Sequence, residues 1–452
     1  MTRSFKNLLG RLLFRDKGIL PTRRLLGLYA IFALAMTLLA IGGMAWIYLA
    51  VCNVLFLVVS LLDLLLSPGK RELSFSREIP EEMERGIRYT ITLQVENRSQ
   101  RSAGFRMIDR IPAVFERPFP LTGRIEGEST VHVDYSTKAA ERGKYLIDQL
   151  YVRYTGTLGL WEKQVTPALA DTVRVIPDLT ATKQYLEGAQ QFLLYEGMTI
   201  RKRQRGQGEF DKIRSYVVGD DPRMINWRQT AKLQEVMTNE YEPEHGKYVA
   251  ILIDCGRMMG AELKTGNRLE KALEAAMTVA AAALQNGDHV SVVGFSKDIQ
   301  VYVPPEKGMA HLQTILHAIY NLQVEASESN YAAVLQYLQT AQKKRSMILL
   351  FSDVTAFLQE ESGLVYLKRL RQRHLFFMIG VEDETMRERA KQSSDDVRHA
   401  MVKSIAQKQL LYTKQQKTKW ERQGLSLVET EEDRLAASAV SQYMDVINRG
   451  LL

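Results

Sequence analysis

A chain of 452 residues exceeds what one hydrophobic core usually organises, so two or three domains are expected. With 46% apolar and 25% charged residues it has the composition of a folded protein, which excludes wholesale disorder; its two cysteines exclude a disulfide framework. The net charge of +8 suggests nucleic acid until it is located: seven of the 60 Lys and Arg lie in residues 1–24 beside a single acid, Asp16, and the rest of the chain is close to neutral.

The basic leader, residues 1–24, spaces Leu8, Leu9, Leu12 and Leu13 among its charges, a pattern for a short amphipathic helix on the inner leaflet or for a basic tail. Residues 25–66 then contain no Lys or Arg and one acid, Asp63. One helix of that length would reach roughly 60 Å, about twice a bilayer core. Two transmembrane helices turning near Gly42 and Gly43 are therefore predicted, a two-pass hairpin. Basic residues flank both ends, the leader before and Lys70, Arg71 and Arg77 after, which predicts a cytoplasmic membrane protein with its soluble domains on the cytoplasmic side. Asn53 is expected to hydrogen-bond across the hairpin and Asp63 to sit at the interface.

Residues 72–178 alternate polar and apolar positions at Tyr89–Val95 and Ser129–Tyr135, with further strands at Tyr145–Tyr154 and Asp171–Ile176, which predicts an immunoglobulin-like β-sandwich. Residues 179–247 read as a connector: a helix, the basic run Arg201–Arg205, and a distinctive motif. No aromatic residues interleave with the basic run, so no nucleic acid is expected there. From 248 to 452 strands alternate with helices. The apolar strand Tyr248–Asp254 is followed by an Ala-rich helix at Leu269–Leu284 and paired strands at Val290–Phe295 and Ile299–Val303. Helices at 309–321 and 331–343, strand Met347–Ser352, a helix near 357–372, strand His374–Val381, a charged helical region, strand Leu425–Val428 and a final helix near 432–448 complete a doubly wound, Rossmann-type α/β domain.

The connector motif is the most specific segment. Gly206, Gly208, Glu209 and Phe210 open it, Arg214 and Tyr216 follow, and Gly219, Asp220, Asp221, Arg223, Ile225, Asn226, Trp227 and Ala231 close it, with Asn239–Glu242 downstream. This pattern resembles the signature of the bacterial family called domain of unknown function 58. The resemblance extends over nearly the whole chain and implies a membrane hairpin, a β-domain and a von Willebrand A-like domain. In physical terms Gly219 suits a positive φ, Asp221 a helix cap and Pro222 a first helical position. Trp227 and Ile225 are expected to bury that helix, and Arg214, Arg223 and Arg228 to pair with Asp220 or Glu209. The segment is then a structural brace or a partner-binding surface.

Metal-adhesion sites of von Willebrand A domains resemble Asp-x-Ser-x-Ser on one loop, Thr on a second and Asp on a third, all hard oxygen ligands. Here the first loop runs Asp254-Cys255-Gly256-Arg257-Met258, so both serines are replaced; Ser329 takes the threonine position and Asp353 the third-loop position. Magnesium or manganese is a minor expectation, and helix capping by Asp254 and Asp353 the simpler one. Walker, nucleophile-elbow and zinc-protease motifs are absent from the sequence, which predicts no catalytic residues, no cofactor and no enzyme. The resemblance implies a protein partner, a MoxR-type AAA+ ATPase, and hence a membrane-anchored adaptor. A metal-dependent adhesion receptor and a nucleic-acid-binding membrane protein remain as alternatives.

Overall fold

The computed structural model describes residues 18–196, 209–217, 220–242, 246–359, 363–393 and 396–452. Most of the basic leader, the run Arg201–Arg205 and the glycines Gly206, Gly208 and Gly219 lie outside the described residues. Chain contacts group into two units, Met1–Ile176 and Pro177–Leu452.

In the first unit, Thr22 starts helix α1 (Arg23–Ile41) by accepting a hydrogen bond from the Leu25 N–H, and the helix ends at Gly42. Gly43 adopts φ +84° in the turn to helix α2 (Trp46–Leu66), a conformation that suits glycine. Both helices are long and apolar enough to cross a membrane, and Phe32 stacks on Phe56 between them. Arg23 and Arg24 thus open the first helix rather than close the leader. Asn53 bonds within its own helix, Nδ2 to the Leu49 carbonyl at 2.9 Å, not across the hairpin. A polar side chain on the outside of an apolar helix is satisfied most locally by the carbonyl one turn back.

The rest of this unit is β-structure in two sheets. One follows the order β1 (Ile19–Pro21), β9 (Trp161–Val165), β8 (Gly143–Thr155), β10 (Ala168–Ile176) and β3 (Glu82–Glu84), with β5 (Ala103–Asp109) beside β8 and β6 (Leu121–Ile125) beside β5. The other is β2 (Leu73–Glu78), β4 (Arg88–Asn97) and β7 (Ser129–Lys138). Alternation places Ile91, Leu93 and Val95 of β4 in one core with Met107, Ile147, Val152 and Val173 of the larger sheet. Arg77 lies inside this core, not on a membrane flank as its place in the sequence suggests. It makes a two-pronged contact to Asp109 (2.6 and 2.9 Å), reaches Asp171 at 2.7 Å, and donates to the carbonyls of Ile147 and Leu169. Tyr135 completes the shell of Asp109 at 2.7 Å.

The hairpin is fastened to this β-structure at both ends. Before α1, strand β1 pairs with β9, and Thr22 donates to the carbonyls of Gly159 and Leu160. At the end of α2, Asp63 is 2% exposed and accepts from the backbone N–H groups of Leu158 (3.2 Å) and Leu160 (2.8 Å). It is a buried acceptor that ties the end of the helix to the Leu158–Leu160 loop. The Trp161 indole donates to Ser60 at 2.9 Å.

The second unit begins with α3 (Thr180–Glu196), then strands β11 (Glu209–Ser215) and β12 (Met237–Glu242) flanking helix α4 (Trp227–Leu233). Its six-stranded sheet contains β13 (Tyr248–Asp254), β16 (His289–Phe295), β17 (Ile299–Glu306), β18 (Ser346–Phe351), β19 (Leu375–Val381) and β20 (Ser426–Thr430), ordered β17-β16-β13-β18-β19-β20. A short hairpin, β14 (Glu262–Leu263) and β15 (Gly266–Asn267), precedes α5 (Arg268–Gln285). All sheet neighbours are parallel except β16 and β17. Successive residues of β13 are buried whichever face they point to, as a sheet covered on both sides requires. Ala250 and Leu252 share a core with α7 (Tyr331–Ala341), α8 (Val354–Gln359) and α9 (Gly363–Arg371). On the sheet's other side α5 contacts β13, β16, α6 (Ala310–Ile319) and α12 (Leu435–Arg449). The single helix expected near 357–372 is two short ones, α8 and α9. Two further helices, α10 (Glu384–Lys391) and α11 (Val397–Arg422), pack on each other. The molecule is thus a mixed α/β protein with several sheets and two apolar N-terminal helices.

Replacing Asp63 by alanine removes the acceptor of the buried Leu160 N–H and the part-buried Leu158 N–H, so Asp63→Ala is expected to lower stability by about 1–3 kcal/mol. Thermal unfolding of the full chain in detergent checks this, and an unchanged midpoint would remove Asp63 from the fastening.

Candidate functional site

Three loops meet at the carboxyl ends of β13, β16 and β18. Asp254, the last residue of β13, is fully buried, and four donors converge on its carboxylate. Oδ1 accepts from the Gly256 N–H at 2.8 Å and from the Ser329 hydroxyl at 2.5 Å. Oδ2 accepts from the Ser352 hydroxyl at 2.5 Å and from the Tyr331 hydroxyl at 3.0 Å. Burial pushes this carboxyl above its usual range, and the hydroxyl and N–H donors oppose that shift. Burial also raises Tyr331, further helped by the Asp254 charge, so its hydroxyl remains a donor.

The structure brings the sequence-predicted pair Asp254 and Ser329 together and gives Asp353 a different partner. Asp353 Oδ2 is ion-paired with the buried guanidinium of Arg268, and Oδ1 caps α8 by accepting from the Ala356 N–H at 2.7 Å. The capping expectation therefore holds for Asp353, whereas Asp254 closes a turn and ties loops. Gly256 matters here for space: a Cβ built on it would meet the Ser329 hydroxyl. That hydroxyl fills the volume a first-loop serine side chain would need. Arg257 is exposed and paired with Glu328 at 2.8 Å.

This donor set does not fit a hard divalent cation. Asp254 spends its acceptor capacity on protein donors, the first loop lacks hydroxyls, and a fixed positive charge already neutralises Asp353. Among the described residues no group of three or more His, Cys, Asp and Glu is placed to hold a metal. Sequence reasoning missed Arg268, Tyr331 and Ser352. Ser352 stands directly before Asp353, a signal that was present; Arg268 is a lone arginine at a helix start and gave none.

The connector motif forms a second site. Arg214 on β11 grips Asp220 with two bonds of 2.8 Å, and Asp220 also accepts from the Val217 N–H at 3.0 Å. Tyr216 donates to the Asp220 carbonyl at 3.1 Å. Asp221 caps a 3-10 turn at Pro222–Met224, accepting from the Arg223 N–H. Asn226 then caps α4 through the Gln229 N–H and holds Asn239 of β12 at 2.9 Å. Glu209 and Phe210 open β11 opposite Glu242 and Tyr241. The expectation that Trp227 buries the helix is overturned: it is 69% exposed, and Val217, Leu233 and Val236 are exposed as well. A seven-residue helix capped on its β-ribbon is held by these polar ties, so its indole is left outside. Arg223 and Arg228 are exposed too.

A mixed α/β chain with two membrane-competent helices and a braced polar motif is the class these features define. Residues 212–392 match the model of the family described as "Protein of unknown function DUF58". It is 23% identical over 203 residues to "Uncharacterized protein YeaD" of Bacillus subtilis (strain 168), a match covering 44% of this chain and 48% of that protein. The chain thus spans about half the length of this curated relative. Among solved structures it is similar to the conserved hypothetical protein BatB from Bacteroides thetaiotaomicron, with 13% identity and TM-score 0.30, covering 45% of this chain and 100% of that one. It is also similar to a FixG-related protein from Vibrio parahaemolyticus, with 13% identity and TM-score 0.16, covering 22% of this chain and 94% of that one.

Arg268→Ala leaves Asp353 buried without its cation and is expected to cost about 3–5 kcal/mol, whereas Arg268→Met with Asp353→Asn should cost clearly less than the two changes summed. A double-mutant cycle by denaturant unfolding checks this; simple additivity would show the pair to be uncoupled. Asp254 gives a pH signature. Its folded pKa lies above the unfolded value of about 3.9, so its stabilising contribution is complete below that value and falls as pH rises through the raised folded pKa. The stability difference between Asp254→Asn and the native chain should therefore move in the variant's favour across that window and then level. A difference flat in pH would refute it.

Proposed function

We propose that this protein is a membrane-anchored, non-catalytic adaptor whose second unit is a von Willebrand A-like domain presented to a protein partner. The anchoring is supported by the two apolar helices, and a cytoplasmic location by the basic residues of the leader with Lys70 and Arg71. The domain assignment is supported by the sheet order, five parallel strands and one antiparallel edge, and by the meeting of Asp254 and Ser329 at its carboxyl end. The adaptor reading in preference to a metal-dependent receptor is supported by Arg268, a built-in cation on Asp353.

The observation that carries the proposal is the exposed Trp227. Four named polar residues, Arg214, Asp220, Asn226 and Asn239, hold the motif in shape while its largest apolar side chain faces solvent. Trp is the residue most enriched among the anchors of protein interfaces, and a solvated indole contributes little to its own fold. The family resemblance points to a MoxR-type AAA+ ATPase as that partner.

The expected outcome of Trp227→Ala is a stability within about 0.5 kcal/mol of the native chain, with loss of partner capture. Affinity isolation from detergent extract, read by mass spectrometry for an AAA+ ATPase, checks it. Repeated recovery of no ATPase by the native chain counts against the partner, and capture undiminished by Trp227→Ala counts against the surface.

A further inference from the structure

Helix α11 has two apolar faces and uses one. At 26 residues it extends roughly 39 Å. Ala406 and Trp420 are buried against the body of the unit, with Val402 and Leu410 half-buried on the same side. About 100° per residue puts Val397, Met401, Ile405 and Tyr412 on the opposite side, with Leu411 at its border. These are 75%, 63%, 66%, 44% and 58% exposed. A solvated helix surface normally carries polar residues there. Two exposed cations, Arg398 and Lys408, are interleaved with the stripe, and three more, Lys414, Lys419 and Arg422, are exposed just beyond its end. The helix holds seven Lys and Arg against one acid, Glu421. One of the seven, Lys417, is engaged by Glu429 on the packed side.

An apolar stripe bordered by excess positive charge is the complement of an anionic lipid surface: the side chains enter the boundary of headgroups and acyl chains while the cations meet the phosphates. We infer that α11 is a second, peripheral membrane contact, its Val397–Tyr412 face lying in the headgroup layer of an anionic bilayer. This rests on the membrane anchoring proposed above, because the apolar helices keep a bilayer at high local concentration for the rest of the chain. An acidic protein would satisfy the charges, but a strip running four turns along one helix with charges threaded through it matches a planar, two-phase surface better than a single pocket.

The test uses the full chain in lipid nanodiscs of phosphatidylcholine alone or with phosphatidylglycerol, read by hydroxyl-radical footprinting of Met401 and Tyr412. Met309, 42% exposed on another part of the unit, serves as internal reference. Oxidation of Met401 and Tyr412 is expected to fall several-fold in the phosphatidylglycerol discs while Met309 is unchanged. High salt, or Arg398→Glu with Lys408→Glu and Lys419→Glu, should restore it, and the matching Lys→Arg changes should not. These positions are solvated, so the variants are expected to fold, and co-elution with the discs reports the anchor separately. Equal oxidation in both discs overturns the inference. Protection that persists in phosphatidylcholine discs and in detergent overturns it in favour of a protein contact.

Discussion

A carboxylate removed from water must be surrounded by donors, and this fold is organised around carboxylates that are. Asp254 collects one N–H and three hydroxyls, and in doing so fixes the loops after β13 and β18 and the start of α7. Asp353 collects a guanidinium and a helix N–H; Asp109 collects Arg77 and Tyr135; Asp220 collects Arg214 and an N–H. Asp288 takes the Tyr443 hydroxyl at 2.7 Å and the Lys247 N–H at 2.9 Å, joining the last helix to the start of the sheet. Asp220 joins only near neighbours, Arg214 and Val217, whereas Asp254, Asp353, Asp109 and Asp288 join segments distant in sequence, and removing one of these four acids leaves its donors unmatched. The apolar cores supply most of the driving force, but these acids determine which loops meet.

The elements themselves were largely legible. The period-2 alternation of Tyr89–Val95 and the continuous apolar run of Tyr248–Asp254 are local signals, and both lie where strands are found. The turn at Gly42 and Gly43 was legible for a similar reason, since two glycines interrupt an otherwise unbroken apolar run. What the chain did not disclose were long-range polar choices. Arg77 looks like a membrane-flanking charge by position, and only the meeting of β5, β8 and β10 around it reveals a core guanidinium. Asp63 gives no local sign of its acceptor role, which depends on the distant Leu158–Leu160 loop. Trp227 misled for the opposite reason: hydrophobicity argues for burial, but a short helix tied down by caps can leave its bulkiest residue outside.

At the candidate site, Asp254, Ser329 and Asp353 could be chosen by analogy with a cation-binding arrangement, and two of the three do converge. The difference lies in a residue no analogy would select. Arg268 supplies positive charge from inside the chain, and Gly256 yields its side-chain volume to Ser329. Together they leave the loops joined by hydrogen bonds and one buried ion pair. In the readings proposed above, contact with partners falls to the connector motif and to the outer side of α11.

The way the hairpin is mounted bears on mechanics. Strand β1 enters the first helix and Asp63 leaves the second, and both fasten to the same stretch, Leu158–Lys163. A helix pair held at one point can swivel; one held at two neighbouring points resists torque. Tilting of the hairpin is thereby passed to β9 and on to its neighbour β8 as shear along their pairing. A graft that exchanged the hairpin alone would remove Asp63 and with it the attachment of the second helix to the Leu158–Leu160 loop.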